Sequence, residues 1–268
     1  MDTLNNMLRS KYVIGITFFL SAMAFSCQSQ KATVAQSAGS SAGVMSSRQN
    51  TLSSMEQKNG WVLLFDGKTS TGWRGAYKDD FPSQGWKIEG GELVVIKSDG
   101  KEARNGGDII TKAKYSDFEL VLEAKLTPGA NSGVKYFVNE QLPKSPGSAI
   151  GLEFQVLDDD LHPDAKMGVY GNRTIGSLYD LITASGKKAK PIGEWNQVRL
   201  VSKNRHVEHW LNGTKVVEYD RGSPAFRALV AKSKYKNFAS FGEAEEGHLL
   251  LQDHGDEVHY RNIKIRKL

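Results

Sequence analysis

From Phe118 to Leu126 the chain alternates. Phe118, Leu120, Leu122, Ala124 and Leu126 share one side, Glu119, Glu123 and Lys125 the other, with Val121 the apolar exception. A period of two puts one face of an extended strand into a core. Similar strands are predicted over residues 132–139, 151–157, 197–202, 248–252 and 258–265. Residues 86–89 and 92–96 flank Gly90-Gly91, and residues 206–211 and 214–219 flank Asn212-Gly213, so each pair reads as a hairpin closed by a two-residue turn. One segment departs from the pattern. Ser223 can cap a helix that starts at Pro224 and places Phe226, Leu229 and Val230 on one face, which predicts a single short helix over 223–232. Many short strands with glycine-rich turns predict an all-β fold, a jelly-roll sandwich of two antiparallel sheets.

The N-terminal part differs in composition. Arg9 and Lys11 precede an apolar run over 12–25, followed by Ser26 and Cys27, the layout of an export signal. Ala24-Phe25-Ser26-Cys27 resembles a lipoprotein signal, in which the cysteine is lipidated and becomes the new N-terminus. Residues 1–27 are therefore expected to be a signal peptide, 28–58 a Ser/Ala/Gln/Gly-rich tether and 59–268 one folded domain. The expected location is the cell envelope, periplasmic or outer-membrane, with membrane contact only through the anchor at Cys27. Cys27 is the one cysteine, so the domain holds no disulfide. A net charge of +5, scattered among acids, lacks the basic stripe of a nucleic-acid binder, and no nucleic-acid partner is expected.

Candidate chemistry gathers at a few places. In Gly151-Leu-Glu-Phe-Gln-Val-Leu-Asp158, Leu152, Phe154 and Val156 face the core, so Glu153 and Gln155 point together from the opposite face. A carboxylate beside an amide suits a sugar site, although a solvated outer face is the default for such alternation. Asp158-Asp159-Asp160, with His162 and Asp164 nearby, could coordinate calcium through carboxylate oxygens but lacks a calcium loop's spacing and central glycine, which favours a solvated turn. Asp253-His254-Gly255-Asp256 sets acids beside a histidine at a turn, where His254 could move protons or simply be a satisfied hydrogen-bonder. Lys135 is expected to share a face with Gly133 and Phe137; in a cleft it could stabilise an oxyanion, at an edge it would be a surface charge. Trp61, Trp73 and Trp86 read as core more readily than as sugar platforms. His206, His209 and His259 have no metal-ligand spacing, and no zinc site or cofactor is expected.

Six segments carry a resemblance: WVLLFDGKTSTGW (61–73), GWKIEGGELVV (85–95), DFELVLEAKLTPGANSGVKYF (117–137), GLEFQVLDDD (151–160), IGEWNQVRLVSKNRHVEHWLNG (192–213) and LQDHGDEVHYRNIKIRKL (251–268). In this order they make the region resemble the 3-keto-disaccharide hydrolase domain family. The resemblance implies a concanavalin/laminin-G-like jelly roll with a sugar-sized concave face, and a carbohydrate substrate oxidised to a ketone at C3. The C3 carbonyl acidifies the C2 hydrogen, so a modest base can form an enolate and expel the C1 substituent, after which water adds. Carried over to this sequence, the resemblance implies Glu153 or His254 as base, with Asn131, Gln155, Tyr179 and Asp253 as substrate-binding positions. The family often carries an arginine after the NSG strand. Here Val138 and Asn139 follow Phe137, and Lys135 is the substitute at hand.

Three other readings are weighed, one of them a purely structural surface lipoprotein. A non-catalytic cell-surface carbohydrate-binding module would use the same face without turnover. A laminarinase-type glucanase needs paired carboxylates in a pattern like E-x-D-x-x-E, and Gln155 stands where the middle acid should be, which argues against it.

Overall fold

In the computed structural model, residues 49–98, 105–142, 148–238 and 240–268 are described. The expected signal peptide, Cys27 and most of the expected tether lie outside them. In chain order the elements are α1 (Ser54–Lys58), β1 (Val62–Leu63), β2 (Trp73–Gly75), β3 (Trp86–Glu89), β4 (Glu92–Val95), β5 (Ile109–Thr111), β6 (Phe118–Leu126), β7 (Asn131–Val138), β8 (Leu152–Leu157), a 3₁₀ turn (Pro163–Lys166), β9 (Trp195–Lys203), β10 (His206–Leu211), β11 (Thr214–Asp220), α2 (Pro224–Val230), β12 (His248–Leu251) and β13 (Val258–Lys267). One antiparallel sheet runs β11-β10-β9-β6-β13-β4-β3, with β1 against β13; the other runs β2-β5-β12-β7-β8. The jelly-roll expectation holds.

The two inner faces meet through the alternating residues. Phe118, Leu120 and Leu122 of β6 join Val134 and Tyr136 of β7 and Phe154 and Val156 of β8 in one buried cluster. The outer face of β6 is taken up by charge pairs: Glu119 contacts Arg199 and Arg266 at 2.5 Å each, and Glu123 contacts Arg261 at 2.6 Å. Trp73 and Trp86 are core residues whose indole N–H groups donate to Leu64 O and Gly107 O. Trp61 lies outside, under Lys264 and Arg266. Positive φ at Gly90, Gly91, Asn212 and Gly213 closes the two hairpins as their residue types require. Ser223 caps α2 by accepting from Phe226 N at 3.1 Å, and the helix stops at Val230, two residues short of the expected end.

Two expectations change. The folded part begins before residue 59, because Asn50 exchanges hydrogen bonds with Asn262 and a Ser53/Glu56 capping box starts α1, with Glu56 paired to Lys264. Phe137 does not share a face with Lys135. Its φ of 54° breaks the alternation, so Tyr136 and Phe137 both enter the core, and the guanidinium of Arg221 lies 3.5 Å from the Phe137 ring centroid.

Candidate functional site

Residues opposite one another in an antiparallel sheet project to the same side, so the register of the five-stranded sheet builds the site row by row. Across the face turned away from the main core Arg74 opposes Ile110, Ile110 opposes Leu250, Leu250 opposes Lys135, and Lys135 opposes Glu153. The chain after β8 then returns along its free edge. Gln155 N donates to Ser177 O and Tyr179 N to Glu153 O, which sets Tyr179 opposite Glu153. The next row holds Gly133 opposite Gln155, and the row beyond it Asn131 opposite Leu157. Six expected site residues, Asn131, Lys135, Glu153, Gln155, Tyr179 and His254, therefore belong to one face and its end. That face is buried rather than solvated: Glu153 is 4% exposed and Gln155 1%.

Glu153 occupies space that only glycine leaves. A Cβ on Gly133 would stand 2.8 Å from Glu153 Cδ and closer still to Oε1. Lys135 Nζ lies 3.8 Å from Glu153 Oε2, donates to Ala149 O at 3.3 Å and bonds Ser148 Oγ. Ser148 in turn bonds Asp108, which accepts from Asp253 N at 3.0 Å. Lys135 is thus neither an edge charge nor a free cation. It is a buried ammonium whose three donors face three protein oxygens.

Tyr179 donates its hydroxyl to Asp164 at 2.7 Å, and Arg173 ties Asp164 to Asp180 with contacts of 2.8 and 2.7 Å. Burial first, then the charges of Glu153 and Asp164, push the phenol well above its ordinary range, so it remains a proton donor. Asn131 Oδ1, Gln155 Oε1 and His254 Nδ1 are buried without a hydrogen-bond partner among the described residues. Buried polar atoms without a protein partner are satisfied by water or by a ligand's polar groups. Around Lys135 lies a cleft of about 170 Å³ whose walls also include Ser148, Gly151, Lys234, Tyr235 and Phe238.

Asp253 has a different position. Fully buried, it accepts from Gly106 N at 3.1 Å, Gly107 N at 2.9 Å and Gly255 N at 3.0 Å. Its carboxylate therefore holds the Gly106–Gly107 backbone and the turn at Gly255. The acids after β8 also act on the backbone: Asp158 accepts from Gly129 N, Asp160 N and Leu161 N, and Asp159 from Ile175 N. They shape a turn, the reading that the sequence favours over calcium.

His162 leaves that turn to meet His254, ring centroids 5.7 Å apart, and both approach Asp256. The three could share a cation, but His162 Nδ1 accepts from Asp164 N at 3.2 Å. A neutral imidazole accepting at Nδ1 carries its proton on Nε2, so that nitrogen donates rather than ligates. Burial and the proximity of His254 lower the His162 pKa, favouring this neutral form. The trio fits a hydrogen-bonding cluster better than a metal centre. A second acid–histidine group, His206, Glu208 and Glu218, lies on the outer hairpin, where Lys215 pairs with both glutamates.

His162 stands out in the sequence only beside the candidate calcium ligands, and Lys234 and Tyr235 do not stand out there at all. The segment after α2 has no period, and Asp180 holds it beside the cleft by accepting from Lys234 N at 2.8 Å.

Comparison with known proteins agrees with this architecture. The family described as a 3-keto-alpha-glucoside-1,2-lyase-like domain matches residues 60–266. A 3-keto-disaccharide hydrolase of Bacteroides thetaiotaomicron is 40% identical over 230 residues, covering 78% of this chain and 79% of that protein. A crystal structure from Parabacteroides distasonis, provisionally described as a glycosyl hydrolase, superposes with a TM-score of 0.72 at 32% identity, over 82% of this chain and 100% of that one. Another from the same organism, described in the same way, gives 0.58 at 28% identity, over 78% and 99%.

Proposed function

This chain belongs to the 3-keto-alpha-glucoside-1,2-lyase-like domain family, and we propose that it cleaves glycosides carrying a ketone at C3 of the sugar. The observation that carries the reading is the Glu153 carboxylate, buried beside Lys135 and Tyr179 and on the same face as amide oxygens that have no partner among the described residues. Glu153 is the base in this proposal. It takes the C2 proton, and the C–H electron pair becomes a C2–C3 π bond while charge moves to the C3 oxygen. Collapse of that enolate restores the ketone, forms a C1–C2 double bond and expels the C1 oxygen, which needs a proton. Water then adds at C1 and a proton returns to C2, giving the free keto-sugar.

In the same proposal His254 serves the departing oxygen or the incoming water, with His162 and Asp256 near its ring. Asn131 and Gln155 would hold sugar hydroxyls. Kinship to a named 3-keto-disaccharide hydrolase supports a disaccharide substrate. Delivery of the protein to the cell envelope, anchored at Cys27, is part of the same proposal.

The test is release of the aglycone from a 3-keto-glucoside and from its unoxidised parent. The expected outcome is cleavage of the first alone, with exchange of the C2 hydrogen in deuterated solvent. Glu153→Gln and His254→Ala are each expected to lower turnover about a hundredfold or more, the usual scale for a general acid or base. Only the variant lacking the base should also lose exchange. Binding without any turnover would favour a carbohydrate-binding module, and equal cleavage of the parent sugar would rule out the ketone mechanism.

A further inference from the structure

Lys135 carries its charge on a flexible four-carbon stem, so the place of its ammonium is set by the oxygens that hold it. Two of the residues that set it lie outside every motif the sequence singles out: Asp108, at the entry to β5, and Ser148, ahead of β8. The Ser148 hydroxyl bonds both the Lys135 ammonium and Asp108 Oδ2. A hydroxyl has one proton, an ionised carboxylate can only accept, and an ammonium can only donate. The Ser148 proton therefore goes to Asp108, and a lone pair of the same oxygen faces Lys135.

Asp108 is fixed in turn. Its Oδ2 also accepts from Ala149 N at 3.2 Å, and its Oδ1 accepts from the backbone of Asp253, the residue before His254, at 3.0 Å. Asp108, Ser148, Lys135 and Glu153 are each no more than 5% exposed, so the low-dielectric interior strengthens every contact along the way. At the far end the ammonium stands 3.8 Å from Glu153 Oε2. That separation allows attraction between unlike charges but lies beyond hydrogen-bond range. A nearby cation favours the ionised form of a carboxylate, and direct contact would make it a poorer base. The distance between ammonium and carboxylate thus bears on proton abstraction, and Ser148 sets it.

Resting on the keto-sugar reading above, we propose that Ser148 and Asp108 are positioning residues for the base. They draw the Lys135 ammonium aside, so that it keeps the Glu153 carboxylate charged and over Gly133 without bonding Oε2. No bond is made or broken along this bridge. The C2 proton goes to Glu153, while the ammonium and the hydroxyl keep theirs. Because the Asp108 carboxylate also holds Asp253 N, one side chain fixes both the neighbour of the base and the turn that carries His254.

The experiment compares Ser148→Ala, Asp108→Asn, Lys135→Met and the double variant Ser148→Ala/Lys135→Met. It follows kcat and KM on an aryl 3-keto-glucoside, C2 hydrogen exchange in deuterated water, and Tm. Without the hydroxyl the ammonium closes on Glu153, and a misplacement of about 1 Å costs on the order of a hundredfold. Ser148→Ala is expected to lose roughly that much in kcat and in exchange together, with KM little changed. Tm should fall too, because Asp108 and Lys135 each lose a partner, so rates are compared at a temperature where every variant is folded. Since Ser148 acts through Lys135, adding Ser148→Ala to Lys135→Met should slow neither rate further. Wild-type kcat and exchange in Ser148→Ala overturn the proposal, as does a change confined to KM. Losses that add in the double variant also overturn it, because Ser148 would then act without Lys135. Should Ser148→Ala not fold, Asp108→Asn carries the same test. It keeps an oxygen for Asp253 N, turns an NH2 toward Ser148, and is expected to slow kcat and exchange in parallel; wild-type rates in it overturn the proposal. A wild-type protein that neither exchanges nor cleaves the keto-glucoside removes the keto-sugar reading and this assignment with it. An active wild type with an unaffected Ser148→Ala removes the assignment alone.

Discussion

The carboxylate of Glu153 lies across the bare Cα of Gly133 on the neighbouring strand, in space that a single methyl group would fill. Gly133 has no positive φ, so the glycine is there for room and not for an unusual backbone. Gly133→Ala should therefore keep the fold and displace the carboxylate. Turnover is expected to fall by about a hundredfold, as for loss of a general base, with Tm nearly unchanged. Kinetics alongside a melting curve check this; full activity would mean Glu153 does no chemistry where it lies.

Asp253 separates position from role. Its carboxylate satisfies three backbone N–H groups, and Asp253→Ala would leave them without an acceptor in a buried region. A cost of about 2–4 kcal/mol in stability follows, since each orphaned buried donor carries its desolvation penalty. Denaturant titration should show the midpoint falling. A variant with wild-type stability and no activity would instead make Asp253 a substrate-contacting group.

A pH effect comes from the core. His209 is fully buried with Nε2 against Tyr136 Oη at 2.7 Å, and burial lowers its pKa from 6.5 to about 4. The fold thus holds the neutral ring. Above pH 6.5 neither state is protonated and there is no penalty. Between 6.5 and 4 the unfolded chain takes up a proton that the folded chain refuses, so stability falls as pH falls, by ~3 kcal/mol once both states are charged. His209→Leu should be less stable at pH 8 yet flatter across this window. Parallel slopes for the two proteins would show that another group carries the acid dependence.

At the other end of the chain, the expectation for Cys27 is checked by fractionation. The full-length protein should partition with membranes, and Cys27→Ala should give a soluble or unprocessed form. Unchanged attachment of the variant would remove the lipid anchor.

Much of this was determined by sequence alone. Two-residue alternation predicts β6, β8 and β13, because backbone geometry sends successive side chains to opposite faces whatever surrounds them. The turn residues at Gly90-Gly91 and Asn212-Gly213 close hairpins for an equally local reason, and Ser223-Pro224 starts α2. The pairing of Glu153 with Gln155 on the face away from the core was legible in the same way. What became of that face was decided elsewhere. Whether a polar strand face is solvated or becomes a site depends on which distant segment covers it, and that carries no local period. The 176–182 return along β8 brings Tyr179 opposite Glu153, and the aperiodic segment after α2 delivers Lys234. Asp253 and His254 look alike as candidates in sequence, yet the 105–107 backbone takes the carboxylate of one, while Nδ1 of the other has no partner among the described residues. A strand's period is a property of a few consecutive residues, whereas the supply of hydrogen-bond partners to a buried side chain is a property of the whole packed chain.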